Sequence, residues 1–272
     1  MSDEVRQADD SIRLDDSARS DRATRPHPSS LIPHPSPFPR IILWDIDGTL
    51  VRSHRPGEFT RYVAPALEKV FGTSGRLSEL TVSGMTDMQI ALESLREHGH
   101  THESIRSRLD VMRETFMREM EQVVREHDPF FYALPGARQA LEAAASSGRY
   151  LNALLTGNIQ PAAYLKLRLV GLDGFFTLPG AFGDDSHDRR ELPAIAHERL
   201  EAHLDRKFAA SDLIVIGDTP NDIACARHHG CRAIAVATGR SHAADLLRSH
   251  EPDALLPDLS DTKLLIETLD RL

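Results

Sequence analysis

Only two cysteines, Cys225 and Cys231, occur in 272 residues. No disulfide framework can hold such a chain, and a reducing, cytoplasmic setting is the expectation. Lysine is nearly as scarce, with 28 of the 32 basic residues being arginine. Long apolar runs are missing too: none approaches the roughly 18 residues a membrane span needs. Positive charge is outweighed by 41 acidic against 32 basic residues, a formal net charge of -9. Surfaces that coat nucleic acid or anionic membranes are basic, so neither partner is expected. With 40% hydrophobic residues, the chain can bury a core as a monomer or homodimer.

Residues 1–40 stand apart. They hold seven Asp/Glu, six Arg, seven Ser and six of the 16 prolines. Such a stretch buries too little apolar surface to offset its ordering entropy, and disorder is predicted. Its acidic start and lack of an apolar segment do not fit a signal peptide.

Folded structure is expected from Ile41. The runs 41–44, 151–155, 213–216 and 233–237 are short and largely apolar, and all but the second contain β-branched residues, as strands buried on both faces do. Helical patterns separate them at 137–147, 161–170, 192–204 and 223–229. That alternation predicts a parallel, doubly wound α/β sheet. Between Arg55 and Tyr132 helices follow one another with no strand. Candidates are 59–71, interrupted by Pro65, and 86–98. A long amphipathic helix is read from the stripe Ile105, Leu109, Met112, Phe116, Met120 and Val123. A small helical domain inserted after the first strand accounts for this block, and the Leu134-Pro135-Gly136 turn marks the return to the sheet.

Chemistry-bearing residues gather where the strands end. Asp45-Ile46-Asp47-Gly48-Thr49-Leu50 follows the first strand; carboxylates at i and i+2 can face one side. In such sheets ligands bind beyond the carboxyl ends of the strands. A pair of turn-forming aspartates is the alternative. Gly217-Asp218-Thr219-Pro220-Asn221-Asp222 follows a later strand. There Thr219, Pro220 and Asp222 also read as a helix-capping box. Four converging carboxylates would repel unless a hard cation such as Mg²⁺ sat among them. Leu155-Thr156-Gly157-Asn158 ends the second long strand and offers either a phosphate cradle or an ordinary turn.

These three segments, in this order, resemble the haloacid dehalogenase superfamily, and in particular its phosphoglycolate-phosphatase-like members. The resemblance covers residues 41 to about 260. It implies a Rossmannoid parallel-sheet core (41–54 and 134–272) and a helical cap (55–133), with the tail 1–40 outside it. It further implies a Mg²⁺-dependent phosphomonoester hydrolase acting on a small phosphorylated metabolite such as phosphoglycolate.

On that resemblance Asp45 is the nucleophile that becomes an aspartyl phosphate, and Asp47 is the acid and then the base. Thr156 binds the transferring phosphoryl group, with Gly157 and Asn158 beside it. The metal is held by the Asp45 carboxylate, the Asp47 backbone carbonyl and Asp218, with Asp222 a further ligand directly or through water. The family's usual lysine is replaced: no lysine lies between residues 170 and 206. The role falls to Arg189, or to Arg190 beside it, near a helix start capped by Asp188.

The segment Ser83-Gly84-Met85-Thr86-Asp87 resembles the cap loop that faces the active site, or is simply a turn in which Thr86 caps a helix. His98, His100 and His102 read as a polar loop, since no carboxylate or cysteine completes a metal site. His54 either approaches the substrate or lies at a surface hinge. A phosphotransferase of the β-phosphoglucomutase type would share all of these core residues. A dehalogenase would need neither metal nor Asp47, and a non-catalytic binding protein would not need the aspartates.

Overall fold

The structure is a computed structural model that describes residues 39–240 and 243–272; the predicted disorder of the tail falls almost wholly outside them. Five parallel strands form the main sheet: β1 (Arg40–Trp44), β4 (Tyr150–Leu154), β5 (Leu213–Gly217), β6 (Arg232–Val236) and β7 (Ala254–Leu256), in the order β4-β1-β5-β6-β7. Alternate residues point to opposite faces. Ile42, Trp44, Ile214 and Ile216 pack under α5 (Ala137–Ser146), α6 (Gln160–Leu169) and α10 (Thr262–Arg271). Ile41, Leu43, Leu213 and Val215 pack under α7 (Leu192–Leu204), α8 (Pro220–His229) and α9 (Ala244–Ser249). Because both faces are covered, each strand is mostly apolar, as the sequence predicted.

One polar atom needed a partner inside this core. The Trp44 indole donates to Asn152 Oδ1 at 2.9 Å, and the Asn152 amide donates on to the Leu141 carbonyl at 3.3 Å. Leaving such a group unmade would cost about 1–3 kcal/mol. Cys225 and Cys231 are buried, free thiols that pack as small apolar residues.

The helical block joins the sheet through two three-residue strands, β2 (Val51–Ser53) and β3 (Phe131–Ala133), paired antiparallel. Between them lie α1 (Thr60–Phe71), α2 (Asp87–Leu95), α3 (His102–Arg106) and α4 (Leu109–Glu126). Pro65 lies inside α1 without ending it. The single long helix read from Ile105 to Val123 is in fact two. α3 has its own capping box between Thr101 and Ser104 and ends at Ser107. Arg108 then leaves helical geometry, donating to the Val70 carbonyl at 2.8 Å and lying over the Phe71 ring. Ile105, buried, and Leu109, partly buried, fit the periodicity because both pack against the same core, on separate helices. That apolar cluster runs without a break from Trp44 and Ile46 to Tyr62, Phe116 and Met120.

Candidate active site

The sheet order fixes where a site can form. The chain leaves β1 for β4 on one side and later crosses to β5 on the other, so β1 lies at the topological switch point, where a crevice opens. The register sets Trp44, Leu154 and Ile216 level. The residues just beyond them therefore leave the sheet at one edge: Asp45 and Asp47 after β1, Thr156 after β4 and Asp218 after β5. All but Asp47 are nearly fully buried. Gly48 is needed here, at φ +88°, because a Cβ would stand 2.3 Å from Asp218 Oδ2.

Carboxylate oxygens of Asp45, Asp218 and Asp222 lie within 4.8 Å of one another. Burial pushes the Asp45 carboxyl up to about 7, against the Arg189 guanidinium that favours its charged form. Asp218 is held well above the ordinary carboxylate range by burial and by the Asp45 and Asp222 charges. Its side chain receives one long hydrogen bond, from Thr49 Oγ1 at 3.5 Å. A buried, crowded and poorly compensated carboxylate pair with oxygen-only donors fits a hard divalent cation.

Asp222 fits that cation less well. It completes the capping box of α8, accepting from Thr219 N at 2.9 Å and Thr219 Oγ1 at 2.7 Å, and its other oxygen takes a hydrogen bond from Arg189 Nη2. Both oxygens are engaged by the protein, so Asp222 anchors Arg189 and caps its helix. The Asp47 side chain is also outside the cluster. Lys166 Nζ donates to both its oxygens, at 2.8 and 2.6 Å, and the Asn158 amide donates at 2.7 Å. Its backbone carbonyl is what remains for a metal.

The two arginines separate clearly. Arg189, in a 3-10 turn (Arg189–Glu191) leading into α7, is 5% exposed and reaches Asp45 Oδ1 at 3.1 Å as well as Asp222. Its Nε has no partner among the described residues. Arg190 is exposed and pairs with Asp188 at 2.6 Å. Expected at the phosphate, Arg190 is instead on the surface, because Asp188 caps the turn through Arg190 N and takes the guanidinium with it.

Lys166 is the residue the sequence reading missed, having sought a lysine only after residue 170. It is buried on α6 beside Ala162, Ala163 and Leu167. Burial opposes its charge most strongly, but the Asp47 carboxylate together with Tyr62 and Asp87 holds the ammonium above its ordinary range. Besides Asp47 it donates to Asn158 Oδ1 at 2.6 Å, and the Asn158 amide donates to Thr156 Oγ1 at 2.7 Å. The detectable signal was a lysine on the apolar stripe of a helix.

The segment 83–87 satisfies both of its readings. Thr86 caps α2 through Gln89 N at 3.1 Å. The same segment also meets the core: Asp87 N donates to the Gly157 carbonyl at 2.7 Å, the Asn221 amide to the Gly84 carbonyl at 2.9 Å, and Ile159 N to Asp87 Oδ2 at 2.7 Å. Asp87 is pushed up to about 7 by burial. His100 packs on the Phe71 ring and His102 on His187. His54 stacks on Tyr132 and lines a different cavity, beside Pro129.

Asp45, Asp47, Thr156, Gly157, Asn158, Lys166 and Arg189 form one wall of a cavity of about 200 Å³ that extends toward α1, α2 and α4. A parallel sheet with aspartates at the switch point lies under a helical block. The chain belongs to the haloacid dehalogenase-like hydrolase family, whose profile it matches over residues 42–227. It is 26% identical over 234 residues to a phosphoglycolate phosphatase of Aquifex aeolicus, covering 84% of this chain and 97% of that one. It is also 22% identical over 254 residues to the pyrophosphatase PpaX of Anoxybacillus flavithermus, covering 85% and 98%. Among solved structures, a predicted phosphoglycolate phosphatase from Haemophilus somnus superposes with a TM-score of 0.59 at 19% identity, over 84% of this chain and 98% of that one. Among the described residues no helix is long and apolar enough to cross a membrane.

Proposed function

We propose that the chain is a Mg²⁺-dependent phosphomonoester hydrolase acting on a small phosphorylated metabolite in the cytoplasm. The observation that carries this is Asp45, a buried carboxylate on the wall of the cavity, flanked by Arg189 at 3.1 Å and grouped with Asp218. Two buried free thiols fit a reducing compartment.

In the proposed reaction an Asp45 oxygen bonds to phosphorus while the ester P–O bond breaks, giving an aspartyl phosphate and a free alcohol. Asp47, two residues on and half exposed, takes up a proton from solvent before this step and delivers it to the leaving oxygen. It then takes one from the water that cleaves the aspartyl phosphate. Lys166 and Asn158 hold the Asp47 carboxyl in place from two sides. Thr156 Oγ1 accepts from Asn158, which leaves its own hydrogen for a phosphoryl oxygen. Arg189, anchored on Asp222, holds its guanidinium beside Asp45 on the cavity wall. Asp45, Asp218 and the Asp47 carbonyl would hold Mg²⁺, which when bound offsets the repulsion between the Asp45 carboxylate and an incoming phosphate.

The test is turnover of p-nitrophenyl phosphate with Mg²⁺ or EDTA, by the wild type and by Asp45→Asn. The proposal requires Mg²⁺-dependent phosphate release that is lost in the variant. Absent turnover, or turnover indifferent to the substitution, would refute it. Formation of glucose 6-phosphate from β-glucose 1-phosphate would replace hydrolysis with phosphotransfer.

A further inference from the structure

The far side of the cavity has a chemistry of its own. Its apolar lining is Phe59, Val63, Val82, Ile90 and Phe116, with Phe131 nearer the aspartates, its ring 5.6 Å from Lys166 Nζ; Tyr62, Ser53 and Ser83 also line it. The apolar side chains come from the helical block and from β3, and they surround the space where the alcohol half of an ester would lie once its phosphoryl group met Asp45. Apolar walls favour an apolar guest and penalise a polar one that loses its water without a new partner.

The charges sharpen this. Among the described residues lining the cavity, the cations are Lys166 and Arg189, and both are committed at the core end. Lys166 is hydrogen-bonded to Asp47 and Asn158, and Arg189 to Asp45 and Asp222. Neither is free to meet a second anion placed among the phenylalanines. The charged lining residues on the helical block are instead acidic. Asp87 is half-buried beside the core loops, and Glu58 is 8% exposed, held by Arg55 N at 3.2 Å and by Arg61 at 3.5 Å. With an acidic residue in the lining and neither lining cation free, a carboxylate or second phosphoryl group on the substrate meets no compensating charge, an unfavourable environment that excludes as well as selects.

Granted the phosphatase reading, we infer that the substrate is a monophosphate ester of an uncharged, largely apolar alcohol. Phosphoglycolate and pyrophosphate, whose leaving groups carry a second negative charge, are poor substrates. The substrates named for the relatives therefore do not transfer to this chain, and its helical block has been refitted for a different alcohol.

The test uses the full chain with Mg²⁺ and compares esters on a common scale. The probes are methyl, butyl and hexyl phosphate, 2-phosphoglycolate and pyrophosphate, with p-nitrophenyl phosphate as the reference for a working phosphatase. kcat/KM should rise about threefold per added methylene until the cavity is filled. Hexyl phosphate should exceed 2-phosphoglycolate by at least about tenfold. Glu58→Gln should shrink that ratio several-fold by removing the repulsive carboxylate. Turnover of p-nitrophenyl phosphate together with equal or better use of 2-phosphoglycolate or pyrophosphate would overturn the inference and leave the phosphatase reading standing. No turnover of p-nitrophenyl phosphate would bring down both.

Discussion

Replacing Asp87 by asparagine should change how stability responds to pH, in a direction that follows from burial. The Asp87 carboxyl is pushed up to about 7, chiefly by desolvation, with the Ile159 N–H and Lys166 opposing. In the unfolded chain an aspartate titrates near 3.9. Between these values the folded protein keeps a proton that the unfolded chain has released. Stability contributed by this group is therefore greatest below about pH 4 and is lost as pH rises through 7, at about 1.4 kcal/mol per unit in mid-range. Asparagine keeps an oxygen to accept from Ile159 N and carries no charge, so it does not titrate. Relative to wild type, Asp87→Asn should thus gain roughly 2.5 kcal/mol between pH 5 and pH 8. Above pH 7, where Asp87 is ionised in the first turn of α2, the variant also loses that favourable charge, about 0.3–1 kcal/mol, which offsets part of the gain at the alkaline end. Urea denaturation in EDTA buffers across that range measures both effects. Parallel wild-type and variant curves would refute the assignment of Asp87 as a buried, proton-retaining group.

Two further substitutions test the cations. Arg189→Ala leaves the buried Asp45 and Asp222 without their partner and should cost about 3–5 kcal/mol in urea denaturation without metal. Arg190→Ala should leave both the unfolding midpoint and phosphatase activity near wild type, and the reverse ranking would move the site. Lys166→Met removes the ammonium but packs against Phe131, and the half-exposed Asp47 can turn to water. It should lower kcat/KM by about a hundredfold or more with little change in unfolding midpoint. A large loss of stability with kcat intact would make Lys166 a structural residue only.

How far the sequence could be read depends on how local each signal is. A strand buried on both faces declares itself in four or five consecutive residues. That is why β1, β4, β5 and β6 were each placed to within a residue or two, and with them the aspartates and Thr156 at their ends. The three-residue strands β2, β3 and β7 carry too few residues for any period to show. Lys166 and Glu58 escaped for another reason. Each lies inside a stretch that reads as an ordinary helix or turn, and its importance comes from residues more than a hundred positions away in one case and from the cavity beyond it in the other. The arginine was legible because Asp188 and a coming helix fixed the geometry of the turn. Local pattern could not decide between neighbours 189 and 190; the anchoring carboxylate of Asp222 did.

The pairing of β2 with β3 has a consequence for the history of such a chain. Val51 lies opposite Ala133 and Ser53 opposite Phe131, so the chain departs for the helical block and comes back at one spot. To the parallel sheet, the intervening eighty or so residues amount to a single long excursion from a fixed doorway. Lengthening it, shortening it or exchanging it for another leaves the registers of β1, β4 and β5 untouched. The reacting carboxylates can therefore stay constant while the lining opposite them is rewritten, and a change of substrate requires no renegotiation of the chemistry.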